Sequence, residues 1–116
     1  MRIANITPFQ LAFKHPFGLS VGTRTHTDVV FVTIEHEGIS GYGEAAMPPY
    51  LEDTVESVVS FLRKVDLSGF TMPFDMAEVH HYIDSIALGN KPAKAAIDIA
   101  LHDLLAKFRN VSLGTL

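Results

Sequence analysis

The chain has 116 residues, of which 47% are hydrophobic and 19% charged, with a net charge of −4 and no cysteine. That length accommodates one domain at most, and the composition is typical of a globular protein rather than a disordered one. The acidic balance argues against a surface for nucleic acid or anionic membranes, and the lack of cysteine excludes disulfide and thiol chemistry. No apolar signal segment and no run near the roughly 18 residues of a membrane span occur. We therefore expect a cytoplasmic globular domain with neither nucleic-acid nor membrane partners.

Three strands are predicted in the first half of the chain. Phenylalanine and leucine alternate with small or polar residues over 2–13, and residues 28–35 show the same period of two. Residues 41–45 pair back on the second strand across a short reversal that contains glycine. Pro48 and Pro49 end the third strand because proline has no backbone donor for the ladder. The pattern predicts a three-stranded antiparallel meander.

Three helices are predicted to follow the meander, which makes the fold class α+β. The first begins with Asp53 as the N-terminal cap and Glu56 three residues later, as in a capping box. The second begins at Asp75 and stops at Gly89, and the third begins near Asn90 or Lys91. Small residues on the third helix favour close packing against a neighbouring element. The wide apolar face of this helix consists of Ala93, Ala96, Ile97, Ala100, Leu101, Leu104, Leu105 and Phe108.

The connection over residues 14–27 is a candidate functional segment. It is long for a link between neighbouring strands, where roughly 2–5 residues are usual, and connections of this length are often functional. Arg24 lies within it, and a guanidinium group suits a carboxylate through two parallel hydrogen bonds. A plain solvated arginine is the alternative interpretation of this residue.

Other candidate residues give weaker signals. Glu44 is either a general base or a structural acceptor for amides of the proline-rich segment, and we favour the structural role. His80 and Asp84 are spaced i, i+4, which suits two ligands of one metal ion. No nearby residue completes a set of metal ligands, so a pair on the helix surface is the better interpretation. Asp98 and His102 have the same spacing and are interpreted as a helix-stabilising pair. The residues alone predict no catalytic site and no metal site.

Three motifs together resemble a known family. They are TRT…DVVFVTIE over 23–35, GYGEA over 41–45 and AIDIALHDL over 96–104. In combination they resemble the N-terminal capping domain of the enolase superfamily, in its muconate-lactonising branch. The segments HPFGLSVGTRTHTD and GEAAMPPYLEDTVESV look most like those of the dipeptide epimerases, including the L-Ala-D/L-Glu epimerases. One departure is found at 110–113, where the family usually has Gly-x-Pro-Leu and this chain has Asn-Val-Ser-Leu.

The resemblance implies a capping domain for a TIM barrel that catalyses a 1,1-proton transfer. In that family two lysines and a Mg²⁺ ion held by three carboxylates lie at the barrel strand ends, and none of these groups is expected here. We therefore predict that this chain contains no catalytic residue and no metal ligand. The capping domain closes the barrel mouth with segments that correspond to 16–25 and 46–51. By resemblance, Leu19, Arg24 and Tyr50 are expected near the substrate.

The resemblance also implies how the chain is organised and what it binds. Residues 1–109 are expected to form the capping domain, and 110–116 to be a loop-like start of the linker to a barrel domain. The expected partners are a dipeptide substrate and that barrel, and the apolar third helix leaves room for a homo-oligomer. Two alternatives remain: a capping domain of a cycloisomerase or o-succinylbenzoate synthase, and a stand-alone interaction domain that uses the apolar face of the third helix.

Overall fold

The computed structural model describes residues 1–12, 26–47 and 52–112. Within these ranges a three-stranded antiparallel sheet with strand order β1-β2-β3 precedes three helices, so the predicted α+β fold is confirmed. None of the described helices is long and apolar enough to cross a membrane. The elements in chain order are β1 (Arg2–Ala12), β2 (His26–His36), β3 (Ile39–Met47), α1 (Val55–Lys64), α2 (Met76–Ile86) and α3 (Lys91–Ser112).

The hairpin between β2 and β3 turns on two residues. Glu37 and Gly38 have positive φ angles of 46° and 82°, and His36 pairs with Ile39 on either side of them. Two consecutive left-handed residues match the right-handed twist of the flanking strands, which is the reason such turns favour glycine. The predicted reversal is confirmed, and it is tighter than the sequence pattern suggested.

The core lies between the sheet and the helices, with α3 packed directly against the sheet and α1 and α2 contributing further buried side chains. Val30, Val32 and Ile34 of β2 are almost completely buried, as the alternating pattern predicts. On the facing helix Ala93, Ala96, Ile97, Ala100, Leu101 and Leu104 are at most 1% exposed. The apolar face of α3 is therefore covered by the domain's own sheet. The alternative in which that face serves as an interaction surface is wrong for these buried positions.

Two glycines of β3 allow α3 to approach the sheet closely. A Cβ atom on Gly41 would lie 2.7 Å from Cβ of Leu104 and would also collide with the carbonyl oxygen of Ala100. A Cβ atom on Gly43 would collide with the carbonyl group of Ala96 in the same way. The glycines are thus required by backbone-to-backbone contact between strand and helix. The sequence pattern had indicated only a strand at this place.

The free edge of β3 is covered by two side chains of α3. Asp103 accepts a hydrogen bond from the backbone N–H of Tyr42 at 2.9 Å, and Lys107 donates to the backbone carbonyl of Ser40 at 2.8 Å. The two side chains form an ion pair at 3.0 Å. The hydrogen bond from Tyr42 and the contact with Lys107 hold the pKa of Asp103 below its ordinary value. This pair satisfies an edge that would otherwise be open to another strand.

The helix boundaries confirm some sequence predictions and correct others. Asp75 caps α2 by accepting from the N–H of Ala77 at 2.9 Å, as predicted. The cap of α1 is Thr54 rather than Asp53, and its capping-box partner is Ser57 rather than Glu56. Both candidate pairs have side chains that can form a capping box, so the sequence alone does not select between them.

The third helix is longer than the sequence predicted. It continues to Ser112, so the expectation that residues 110–112 form a loop is wrong. Neither glycine nor proline occurs at 109–112, and nothing local stops the helix there. The proposed division between 109 and 110 stays a prediction.

Candidate functional site

Both predicted substrate segments attach to the same end of the sheet. Strands β1 and β2 remain paired up to Ala12 and His26, the residues that flank 13–25. Strand β3 ends at Met47, immediately before 48–51, and Met47 pairs with Asp28. The antiparallel register therefore brings the attachment points of the two segments side by side. Thr27, which had been counted in the long connection, belongs to β2.

The last row of residues that spans all three strands lies at this end. Gln10 pairs with Asp28, and Asp28 pairs in turn with Met47. A hydrogen bond joins two of these side chains, from Nε2 of Gln10 to Oδ1 of Asp28 at 3.1 Å. Met47 is 3% exposed and belongs to the core. Through Met47 this row therefore connects the core to the strand ends that flank residues 13–25 and 48–51.

The three residues predicted to lie near a substrate are outside the described residues. Leu19 and Arg24 fall within 13–25, and Tyr50 falls within 48–51. Their role therefore stays a prediction. The structure places the described residues that flank both segments at one end of the sheet, which the sequence pattern alone had not established.

Glu44 lies near the same end, on the exposed side of β3. It borders an open depression of about 430 Å³. The depression is also lined by Ala45, Ala46, Asp53, Gly89, Lys91, Pro92 and Ala95. No described residue donates a hydrogen bond to the Glu44 carboxylate. Its predicted part as an acceptor for the proline-rich segment therefore stays a prediction.

The histidines of α2 and α3 form a polar contact between the two helices. Nε2 of His80 contacts Oδ1 of Asp98, and Asp84 pairs with Lys94 of α3 at 3.3 Å. His80 and Asp84 are surface residues as predicted, but each pairs with α3 instead of with the other. Sequence spacing reveals partners one turn apart and cannot reveal a partner on the next helix.

The predicted pair within α3 is present. Nδ1 of His102 lies 3.4 Å from Oδ1 of Asp98 and 2.8 Å from the carbonyl oxygen of the same residue. Across the described ranges, no group of three or more histidine, aspartate or glutamate side chains is arranged to hold a metal ion. The residues that the structure describes therefore do not fit the magnesium site that the resemblance implies for the barrel.

The architecture defines the class of protein: an α+β domain in which the strand ends that flank residues 13–25 and 48–51 lie at one end of the sheet. A family model, the N-terminal domain of mandelate racemase and muconate lactonizing enzyme, matches residues 3–116. The chain belongs to this family, which is the N-terminal domain family of the enolase superfamily.

Several relatives resemble the chain over most of its length. An L-Ala-D/L-Glu epimerase of Bacteroides thetaiotaomicron is 51% identical over 100 residues, which are 86% of this chain and 26% of that protein. A hydrophobic dipeptide epimerase of Enterococcus faecalis is 34% identical over 103 residues, covering 84% of this chain and 28% of that protein. More distant relatives include a chloromuconate cycloisomerase of Pseudomonas putida and an o-succinylbenzoate synthase of Listeria innocua, at 28% and 30% identity.

A solved structure shares the fold. The substrate-liganded L-Ala-D/L-Glu epimerase of Bacillus subtilis superposes with a TM-score of 0.69 at 28% identity. The superposition covers 94% of this chain and 32% of that protein. The chain thus spans about a quarter to a third of the length of the relatives it matches.

Proposed function

We propose that this chain is the capping and substrate-selecting domain of a cytoplasmic dipeptide epimerase and is catalytically incomplete on its own. The observation that supports this most is the common origin of segments 13–25 and 48–51 at one end of the sheet. Two segments that leave one end side by side can enclose a small molecule against a second domain. The 51% identity to an L-Ala-D/L-Glu epimerase favours a dipeptide as that molecule.

The selecting group in this proposal is the guanidinium of Arg24. A dipeptide that contains glutamate carries a side-chain carboxylate in addition to its terminal one. A guanidinium group forms two parallel hydrogen bonds with a carboxylate, and this pair is strongest where water is excluded. In the proposal Leu19 and Tyr50 supply the apolar wall beside the substrate side chain.

Proton transfer is assigned to the barrel domain rather than to this chain. Lys94 and Lys107, two lysines of α3, are paired with Asp84 and Asp103. The described residues also provide no cluster that could hold a metal ion. In this proposal the bases and the Mg²⁺ ion of a 1,1-proton transfer are held by the barrel domain.

A second candidate is the capping domain of a cycloisomerase or an o-succinylbenzoate synthase. The 30% identity to the Listeria innocua synthase, over 96% of this chain, supports it. The epimerase is favoured because its sequence identity to this chain is 51%, against 30% for the synthase. It matches 86% of this chain, and the synthase matches 96%.

A fusion protein tests the proposal. In it this chain replaces the 100 matched residues of the Bacteroides thetaiotaomicron relative, and circular dichroism first establishes that the fusion folds. We expect the fusion to exchange the α-proton of the glutamyl residue of L-Ala-L-Glu with solvent in D₂O, observed by NMR. This chain alone and the relative lacking the segment serve as controls and should show no exchange. A folded fusion that does not exchange this proton, or exchange by this chain alone, contradicts the proposal.

A further inference from the structure

We propose that the open depression beside β3, called here the edge groove, binds a short zwitterionic peptide of dipeptide length in extended conformation. The residues that line it belong to the described part of the chain, and none lies in segments 13–25 or 48–51. The inference goes beyond the proposed function, because it assigns a peptide-binding site to the capping domain itself. It holds or fails independently of catalysis by the fusion protein.

The backbone of β3 offers free hydrogen-bonding groups to this groove. The N–H of Tyr42 and the carbonyl of Ser40 bind side chains of α3, so the backbone groups of these two residues face away from β2. Every second residue of an antiparallel strand faces the same way, so Glu44 and Ala46 also present their N–H and carbonyl groups to the free edge. Across residues 1–12, 26–47 and 52–112, no group bonds to them there.

Other edges of the described sheet are less suited to pairing with a peptide. The first half of the β3 edge is covered by Asp103 and Lys107. Strand β1, at the opposite edge, contains Pro8, which has no N–H, and its register shifts between Ile3 and Asn5. Proline and such irregularities hinder the addition of a further strand. Residues 44–46 have neither kind of protection.

The edge groove has the size and the walls of a small ligand site. Its volume is about 430 Å³, and pockets for small molecules measure roughly 300–1,000 Å³. The groove is lined by Glu44, Ala45, Ala46, Asp53, Gly89, Lys91, Pro92 and Ala95. Its walls are thus a strand edge and the first turns of a helix, with small apolar side chains between them. Extended peptides bind in this way, as an added strand beside a sheet edge.

The direction of α3 separates the charges along the groove. Gly41 lies against Ala100 and Gly43 lies against Ala96, so the helix runs antiparallel to the strand. Each advance of two residues along β3 corresponds to a return of four residues along α3. Lys91 therefore lies toward the C-terminal end of β3, about two strand residues beyond Gly43.

These charges match a zwitterion. Glu44 lies at the other end of the groove, and two strand residues span roughly 7 Å, which is close to the length of an extended dipeptide. No described carboxylate pairs with Lys91, whereas Lys94 and Lys107 of the same helix are paired. An ammonium group at Glu44 and a carboxylate at Lys91 would complement the groove. Asp53, a second carboxylate of the lining, disfavours a ligand that carries only negative charge.

The experiment titrates the isotope-labelled chain with L-Ala-L-Ala and follows the backbone amide signals by NMR. The signals of Glu44, Ala46 and Ala95 should shift and saturate. Acetyl-L-Ala-L-Ala lacks the ammonium group and L-Ala-L-Ala amide lacks the carboxylate, so each should bind about three- to tenfold more weakly.

Matched variants locate the site. Ala95→Leu fills the groove and should weaken binding about tenfold or more, whereas Ala106→Leu, at another exposed alanine of α3, should not change it. Glu44→Gln should weaken the binding of L-Ala-L-Ala about three- to tenfold without further weakening the acetylated dipeptide, because both changes remove the same ion pair. Lys91→Gln should act in the same way on L-Ala-L-Ala but not on its amide.

Amide hydrogen exchange tests whether the edge is free. In the chain without peptide, the amides of Glu44 and Ala46 should exchange about tenfold or more faster than those of Gly43 and Ala45, which face β2. L-Ala-L-Ala should slow the exchange of Glu44 and Ala46 alone.

Several results would overturn the edge groove as a peptide site. Slow exchange of Glu44 and Ala46 without peptide would show that the chain itself covers the edge. Shifts that do not saturate, equal effects of Ala95→Leu and Ala106→Leu, or equal binding of the acetylated dipeptide would each contradict the assignment. None of these results depends on proton exchange by the fusion protein, which tests the proposed function separately.

Discussion

The two ends of the sheet are stabilised in different ways. At the hairpin end, taken here as the half of β3 from Ile39 to Gly43, the backbone lies directly against α3, and Gly41 and Gly43 leave no room for a side chain. At the segment end the backbone pairing of β1 and β2 continues to Ala12 and His26, and an exposed hydrogen bond joins the side chains of Gln10 and Asp28. The hairpin end therefore depends on shape and tolerates little change. At the segment end the exposed Gln10 can be replaced without loss of the core, whereas Met47 of β3 belongs to the core.

Substitution at the hairpin end should have the largest effect on stability. The Cβ atom of Gly43→Ala would meet the carbonyl group of Ala96, so helix and strand must separate. We expect the free energy of unfolding to fall by about 3 kcal/mol or more, measured by urea denaturation. Gly69→Ala is the control, since nothing lies within 4 Å of its added Cβ atom. Equal stabilities of the two variants would show that the helix does not touch the strand.

Removal of Asp103, which covers the free edge of β3 together with Lys107, should lower the free energy of unfolding by a moderate amount that depends on pH. Asp103→Ala deletes the acceptor for the N–H of Tyr42 and the partner of Lys107. We expect a loss of about 1 kcal/mol at neutral pH, reduced from the usual value for a charged hydrogen bond because the site is partly exposed. The pKa of Asp103 is lowered in the folded state, mainly by the hydrogen bond from Tyr42. Its stabilising contribution is therefore present above the ordinary carboxyl pKa and is lost as pH falls through the lowered value.

Urea denaturation of the parent and Asp103→Ala between pH 7 and pH 2 measures this dependence. The difference in stability should narrow below about pH 4, the ordinary range of an aspartate. A difference that is constant over the whole pH range would contradict the assigned contact.

The smallest effect is expected at the polar contact between α2 and α3. His80 and Asp98 are both close to half exposed, and such pairs contribute about 0–1 kcal/mol. We expect His80→Ala to cost no more than about 0.5 kcal/mol, whereas Ile83→Ala on the same helix should cost about 2–5 kcal/mol because Ile83 is 3% exposed. Thermal unfolding of both variants checks this. A loss for His80→Ala close to that for Ile83→Ala would show that exposed polar contacts hold the domain together.

The sequence predicted those features that depend on local chemistry. Alternation in β2, the cap at Asp75 and the small residues of α3 follow from spacing alone, and the structure confirms them. The reason for glycine at 41 and 43 was missed, because it depends on the helix that lies across the strand. The pairing of His80 with Asp98 was missed for the same reason.

The candidate site could be predicted only in part. A long connection and a proline-rich stretch identified two irregular segments, and the strand register shows that both attach at one end. That common origin depends on which residues pair across the sheet, which periodicity does not specify. The roles of Leu19, Arg24 and Tyr50 follow from the family resemblance and stay predictions.

The most direct test of this account is the substrate preference of Arg24→Ala in the fusion protein. One ratio is measured: kcat/KM for L-Ala-L-Glu divided by kcat/KM for a dipeptide without an acidic side chain. A charge-assisted hydrogen bond contributes roughly 1.5–3 kcal/mol, so we expect the ratio to fall about tenfold to a hundredfold. The melting temperature should stay unchanged. An unchanged ratio, with the fusion folded and active, would contradict the claim that this domain selects the substrate through Arg24.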